Sequence, residues 1–74
     1  MKKGDEVRVY VNGEPREFSD QLSLADIITQ LDFPAQRIAV ELNRTVVRRG
    51  DWSTTELHDE DRIEIVHFVG GGRS

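Results

Sequence analysis

Three consecutive glycines, Gly70-Gly71-Gly72, follow directly on an apolar, β-branched run from Arg62 to Val69 and set the limit of what can fold. Glycine loses more backbone entropy on ordering than any other residue and has no side chain to bury, so the triplet prolongs neither helix nor strand. The run before it reads as a strand. Its alternation puts Ile63 and Ile65 on an inward face and points Val66 and Phe68 the other way. The chain is thus expected to divide into a folded part, residues 1–69, and a Gly-rich C-terminal tail, residues 70–74. The tail alone fits two readings. One is a chain end delivered to a partner, with the backbone carboxylate of Gly72 or its neighbour as the reactive group. The other is a linker or a remnant of cloning, where Gly-rich and Arg-Ser endings are common.

At 74 residues there is room for one small domain, which buries only about 60% of its unfolded surface. An apolar content of 36% supplies one hydrophobic layer between a sheet and a helix. With no cysteine, disulfides, thiolate metal sites and cysteine nucleophiles are excluded, and a reducing cytoplasm is the expected location. Met1-Lys2-Lys3 starts like a signal peptide, but Gly4-Asp5-Glu6 follows instead of an apolar stretch. No apolar run approaches the ~18 residues of a membrane span. The net charge of −4 argues against nucleic acid, whose phosphates call for a basic face. Arg44, Arg48 and Arg49 form the one local basic cluster and read as solvated surface.

From Glu6 to Asn12 the chain alternates, with Val7, Val9 and Val11 on one face and Arg8 and Tyr10 on the other, the pattern of a half-buried strand. Asn12-Gly13 is a strong hairpin signal, because both central positions of a type I′ turn need positive φ. The return strand runs from Glu14 to Phe18, and Pro15 suits it to a sheet edge. Ser23 caps a helix with Asp26 near its positive end, and Leu24, Ile27, Ile28 and Leu31 form one apolar stripe. Phe33, preceding Pro34, ends it after roughly three turns. Ile38, Val40 and Leu42 point inward from the next strand, Asn43-Arg44-Thr45 turns, and Val46-Val47 forms a short strand. Gly50 to Thr55 reads as irregular, with Trp52 a partly buried anchor, and His58 to Asp61 as an acidic turn. The order is ββαββ, an α+β sandwich with one helix across one face of a mixed sheet. Pairing the first strand with the last at the centre places Val7, Val9, Val11, Ile63 and Ile65 beneath the helix stripe.

No catalytic constellation is legible. His58 and His67 lack the number and spacing of a metal site. His67 reads as structural or solvent-facing, and no phosphate-cradling loop precedes a helix. Glu56, Asp59, Glu60 and Asp61 form a solvated acidic loop, with steering of a basic partner as the lesser reading.

Two segments carry a family resemblance. The stretch Ile38-Ala39-Val40-Glu41-Leu42-Asn43-Arg44-Thr45-Val46-Val47-Arg48-Arg49-Gly50-Asp51-Trp52 resembles the ThiS family of sulfur carriers of thiamine biosynthesis. So does Asp61-Arg62-Ile63-Glu64-Ile65-Val66-His67-Phe68-Val69-Gly70-Gly71-Gly72, and the helix from Ser23 to Leu31 fits as well. The likeness runs from Val7 to Gly72. Arg48 stands where the family often has proline, and Glu60 where it often has glycine. Family members usually end at the double glycine, whereas Arg73 and Ser74 follow here. They are trimmed by a protease or were added in cloning.

The resemblance implies a β-grasp, or ubiquitin-like, fold and a carrier that is itself no enzyme. A ThiF-like partner of the ubiquitin-activating (E1-like) class would adenylate Gly72 using ATP and magnesium. Sulfur from a cysteine desulfurase or another donor would then give a thiocarboxylate for a ThiG-like thiazole synthase. Gly71 and Gly72 suit a narrow channel, and three extended residues reach ~10 Å into a partner. Val66, Phe68 and Gly70 are the expected partner-binding residues. No bound cofactor, metal, nucleic acid or membrane is expected, and the free chain is expected to be a monomer. The alternatives are a MoaD-like donor for molybdopterin, a related carrier for tRNA thiolation, and a β-grasp interaction module with an inert tail.

Overall fold

A two-residue turn at Asn12-Gly13 opens the architecture. Both residues sit in the left-handed region, at φ 52° and 88°, the geometry that matches the twist of a tight hairpin. The turn joins β1 (Glu6–Val11) to β2 (Glu14–Ser19), with Val11 opposite Glu14 and Val7 opposite Phe18. The structure is a computed structural model and describes residues 6–68. The proposed boundary between domain and tail, after residue 69, lies outside them.

Helix α1 (Leu24–Gln30) begins at a capping box. The Ser23 hydroxyl accepts from the Asp26 N–H at 3.2 Å, and Asp26 Oδ2 accepts from the Ser23 N–H at 2.9 Å, so two otherwise orphaned donors are satisfied. At seven residues the helix is shorter than the stripe suggests, about two turns rather than three. It also ends differently. Asp32 adopts φ 63°, its N–H donates to the Thr29 carbonyl at 3.0 Å, and the Phe33 N–H donates to the Ile28 carbonyl at 3.2 Å. This paired arrangement closes a helix where the chain turns left-handed, so the stop lies one residue ahead of the Phe33-Pro34 step.

Strands β3 (Ile38–Leu42) and β4 (Thr45–Val47) form a second tight hairpin through Asn43 (φ 52°) and Arg44 (φ 73°). Strand β5 (Asp61–His67) completes a five-stranded sheet of order β2-β1-β5-β3-β4. It runs parallel to β1 and antiparallel to β3. The central pairing expected from the sequence is therefore present, and Pro15 does lie on the edge strand β2.

One face of the sheet meets α1. Val9, Val11, Ile38, Val40, Ile63 and Ile65 are buried there against Leu24, Ile27 and Ile28. Full burial of each such side chain contributes about 1.5–3 kcal/mol. Val7 is only half-buried, because β1 has no β5 partner at that height. Phe18, Trp52 and Leu57 close the core, and Trp52 is buried outright at 4% exposure rather than in part. Residues Arg49–Thr54 form a 3₁₀ helix where irregular chain was expected, and the Trp52 Nε1 donates to the Val47 carbonyl at 2.9 Å. That bond lets an indole enter the core with its polar atom satisfied.

Glu60 carries a strain that a substitution exposes. Its φ is 71°, and its N–H donates to the Arg8 carbonyl at 2.6 Å. A left-handed conformation costs a residue with a Cβ about 1–2 kcal/mol, part of which glycine returns in entropy. Glu60→Gly is therefore expected to stabilise the domain by about 1 kcal/mol, raising the thermal midpoint by roughly 4–8 °C. An unchanged midpoint would show that the turn carries no such strain.

Candidate functional site

Strand β5 links the centre of the sheet to the tail, and two turn asparagines hold it in place. Asn12 donates its N–H to the Ile63 carbonyl at 2.9 Å, and its Oδ1 accepts from the Ile65 N–H at 2.8 Å. Asn43 holds the opposite edge of the strand, near its start. Its N–H donates to the Arg62 carbonyl at 2.7 Å, and its Oδ1 accepts from the Arg62 N–H at 2.9 Å. Each asparagine thus tolerates the left-handed turn and continues the ladder with its side chain. The Asn43 Nδ2 also donates to Asp61 Oδ1 at 2.9 Å, while Asp61 Oδ2 accepts from the His58 N–H at 2.8 Å. Asp59 Oδ1 accepts from the Arg8 N–H at 2.8 Å. Half of the acidic loop is therefore spent on backbone N–H groups, and Glu56 and Glu60 remain exposed.

The face away from α1 has no layer over it among the described residues. Its half nearest the start of β5 is charged. The Arg62 guanidinium lies 4.8 Å from the centre of the Tyr10 ring, a cation–π distance. On the same face a side-chain hydrogen bond with Tyr10 pushes the Arg8 guanidinium pKa up. Glu41 and Glu64 stand directly opposite each other across β3 and β5, in a shallow depression that Asn43, Arg44 and Arg62 also line.

Towards the end of β5 the same face becomes apolar. Val66 is 57% exposed beside Ala39, and Phe68 is 61% exposed. These are two of the expected partner-binding residues, and they lie at the base of the tail. Gly70, Gly71 and Gly72 lie outside the described residues. Val46, 63% exposed and paired with Glu41, brings a third large apolar side chain to this face. It escaped the sequence reading because a three-residue strand shows no alternation. The signal was the two-residue Asn43-Arg44 turn, which fixes the register and so the face.

Of the other candidates, Trp52 is core and His67 rests against Phe33. Among the described residues no group of three or more His, Asp or Glu side chains is placed to hold a metal ion. No described helix is long and apolar enough to cross a membrane.

A central parallel β1–β5 pair, one helix on one face and an open face at the base of the C-terminal segment define a β-grasp domain. The ThiS family model matches residues 2–72, and the chain belongs to that family. It is 36% identical over 65 residues to the sulfur carrier protein ThiS of Bacillus subtilis, covering 86% of this chain and 98% of that one. It is 37% identical over 67 residues to a thiazole synthase of Magnetococcus marinus, covering 90% of this chain. The chain spans about a fifth of the length of the thiazole synthases it matches, 21% and 20%. The crystal structure of the thiamine biosynthesis protein ThiS from Geobacter metallireducens superposes with a TM-score of 0.74 at 31% identity. That match covers 89% of this chain and all of the other.

Proposed function

We propose that the chain is a sulfur carrier of thiamine biosynthesis that presents the carboxylate of Gly72 to partner enzymes. The observation that carries this reading is the position of Val66 and Phe68, exposed on an open sheet face immediately before the glycines. The domain supplies recognition and the tail supplies the reactive atom. A carboxylate is a poor electrophile, because its leaving group would be an oxide. An activating enzyme of the ThiF-like class overcomes this by directing a carboxylate oxygen onto the α-phosphorus of ATP, with magnesium, and releasing pyrophosphate. A sulfur nucleophile from a desulfurase then attacks the acyl carbon of the mixed anhydride. With a persulfide as that nucleophile the C–O bond to AMP breaks to leave an acyl disulfide, and a partner thiol attacks the donor-side sulfur, forming a disulfide and releasing the glycyl thiocarboxylate.

The thiazole synthases that contain a matching segment support thiazole synthase as the acceptor. A carrier joined to its acceptor gains an effective concentration without any new contact. The activated group must end at Gly72, so Arg73 and Ser74 have to be absent from the working form. In this reading no side chain of the carrier makes a bond, and its one reacting group is the Gly72 carboxylate.

The testing experiment is ATP–pyrophosphate exchange with the cognate activating enzyme, using a chain that ends at Gly72. Exchange that depends on the carrier supports the reading. No exchange, with the complex still forming, would mean an interaction module with an inert tail.

A further inference from the structure

We propose that Glu41 and Glu64 form a two-carboxylate receptor for one arginine of the activating enzyme, set in the same open face as Val66 and Phe68. The identity of the partner rests on the carrier reading. Backbone register places the pair. Glu41 stands directly opposite Glu64 across β3 and β5, and Val46 stands opposite Glu41 across β3 and β4. One transverse row of the face is therefore Val46, Glu41 and Glu64, and the next row towards the end of β5 holds Ala39 and Val66. Directly opposed residues keep their Cβ atoms about 4.5–5.5 Å apart, where like charges repel and weaken the sheet.

The described part of the domain does not neutralise this pair. Arg62, two residues before Glu64, lies over the Tyr10 ring at 4.8 Å, and Arg44 lines the same depression without closing on either glutamate. Among the described residues the ion pairs are Arg16 with Glu14 and His58 with Asp61. The acids of the β5 turn differ in kind. Asp59 and Asp61 accept from backbone N–H groups, so their charge serves the fold. That of Glu41 and Glu64 is left facing outward.

Two neighbouring carboxylates on a docking face call for a cation with many donors. A guanidinium has five N–H donors in one plane and no acceptor, so one arginine serves both carboxylates, whereas an ammonium is a point charge. The chemistry of the partner supplies such a group. An enzyme that holds the phosphates of ATP and draws in a carboxylate carries arginine and lysine about that site. The chain's net charge of −4 favours approach to a surface of that sign. Val46 and Val66 adjoin the pair, with Phe68 beyond, and all three are exposed. Once covered they keep water from the contact, the setting in which a charged anchor counts most. A partner without the arginine would bury two like charges with no counter-charge, so the pair also rejects wrong partners.

The test uses a chain ending at Gly72 and measures its Kd for the activating enzyme by calorimetric titration, together with the thermal midpoint of the free chain. Glu41→Gln and Glu64→Gln keep the shape and remove one charge, and each is expected to weaken binding about tenfold. The same variants raise the thermal midpoint by about 1–4 °C, because the repulsion is relieved. Glu56→Gln removes an exposed acid outside the five strands and should leave Kd within about twofold. Parental Kd values in both glutamate variants overturn the proposal. So does a loss in Glu56→Gln as large as theirs, which would assign the effect to overall charge. A weaker Kd that comes with a fall in the midpoint overturns it too, since the glutamates would then be supporting the fold. A parent chain that neither binds the enzyme nor supports ATP–pyrophosphate exchange overturns the carrier reading and this proposal with it. A parent that binds and exchanges beside unaffected variants overturns this proposal alone.

Discussion

With tryptophan in place of Gly72, a chain ending at residue 72 is expected to fold as the parent does and to lose at least about a hundredfold in adenylation rate. Glycine has no side chain to bury, so the exchange removes none from the core. The loss arises in the partner. On the carrier reading the carboxylate has to reach the α-phosphorus of a bound nucleotide along a path that residues without side chains suit, and an indole would displace the acyl carbon or bar entry. Circular dichroism checks the fold, and carrier-dependent ATP–pyrophosphate exchange checks the chemistry. Turnover at the parental rate would remove the reason for glycine at this position.

Phe68→Ala carries the second large effect, on binding rather than chemistry. An aromatic side chain at the centre of an interface commonly accounts for 2 kcal/mol or more, a loss of about thirtyfold in Kd. At 61% exposure Phe68 has little to lose in the free protein, so the thermal midpoint should move by no more than an exposed-site substitution allows, about 0.5 kcal/mol. Calorimetric titration of the activating enzyme and a melting curve of the free protein measure the two halves. A fall in stability of about 3–5 kcal/mol would be the signature of a core phenylalanine and would contradict the placement of this ring. Val66 and Val46 share the face and are expected to contribute smaller increments, because their side chains offer less area.

Both effects depend on features with unequal traces in the sequence. The alternation along Arg62–Val69 was enough to assign Val66 and Phe68 to the open face, since a one-residue slip would bury the wrong set. Asn12-Gly13 was equally readable, because its conformational demand is local. The hairpin at Asn43-Arg44 was less so. Arginine carries no turn preference, and its φ of 73° is imposed by the pairing of Leu42 with Thr45. The helix was overestimated because Leu31 continues the apolar stripe, although it serves as the C-cap and the left-handed Asp32 ends the run. Trp52 entered the core only through a 3₁₀ turn and a hydrogen bond to the Val47 carbonyl, a tertiary arrangement that no periodicity announces. The second task of Asn12 and Asn43, holding β5 with their side chains, depends equally on long-range placement. The pairing of His67 with Phe33 brings together residues 34 positions apart (67 − 33) and had no local signal.

The central claim is that Gly72 becomes a thiocarboxylate, and the intact mass of the protein tests it most directly. The chain ending at Gly72 is incubated with its activating enzyme, ATP, magnesium, a desulfurase with cysteine and a thiol reductant, then weighed. The account predicts a species heavier by the difference between one sulfur and one oxygen atom, absent when ATP is withheld and absent when Gly72 is removed. A mass unchanged under conditions in which the activating enzyme binds the domain would contradict it and leave a β-grasp interaction module.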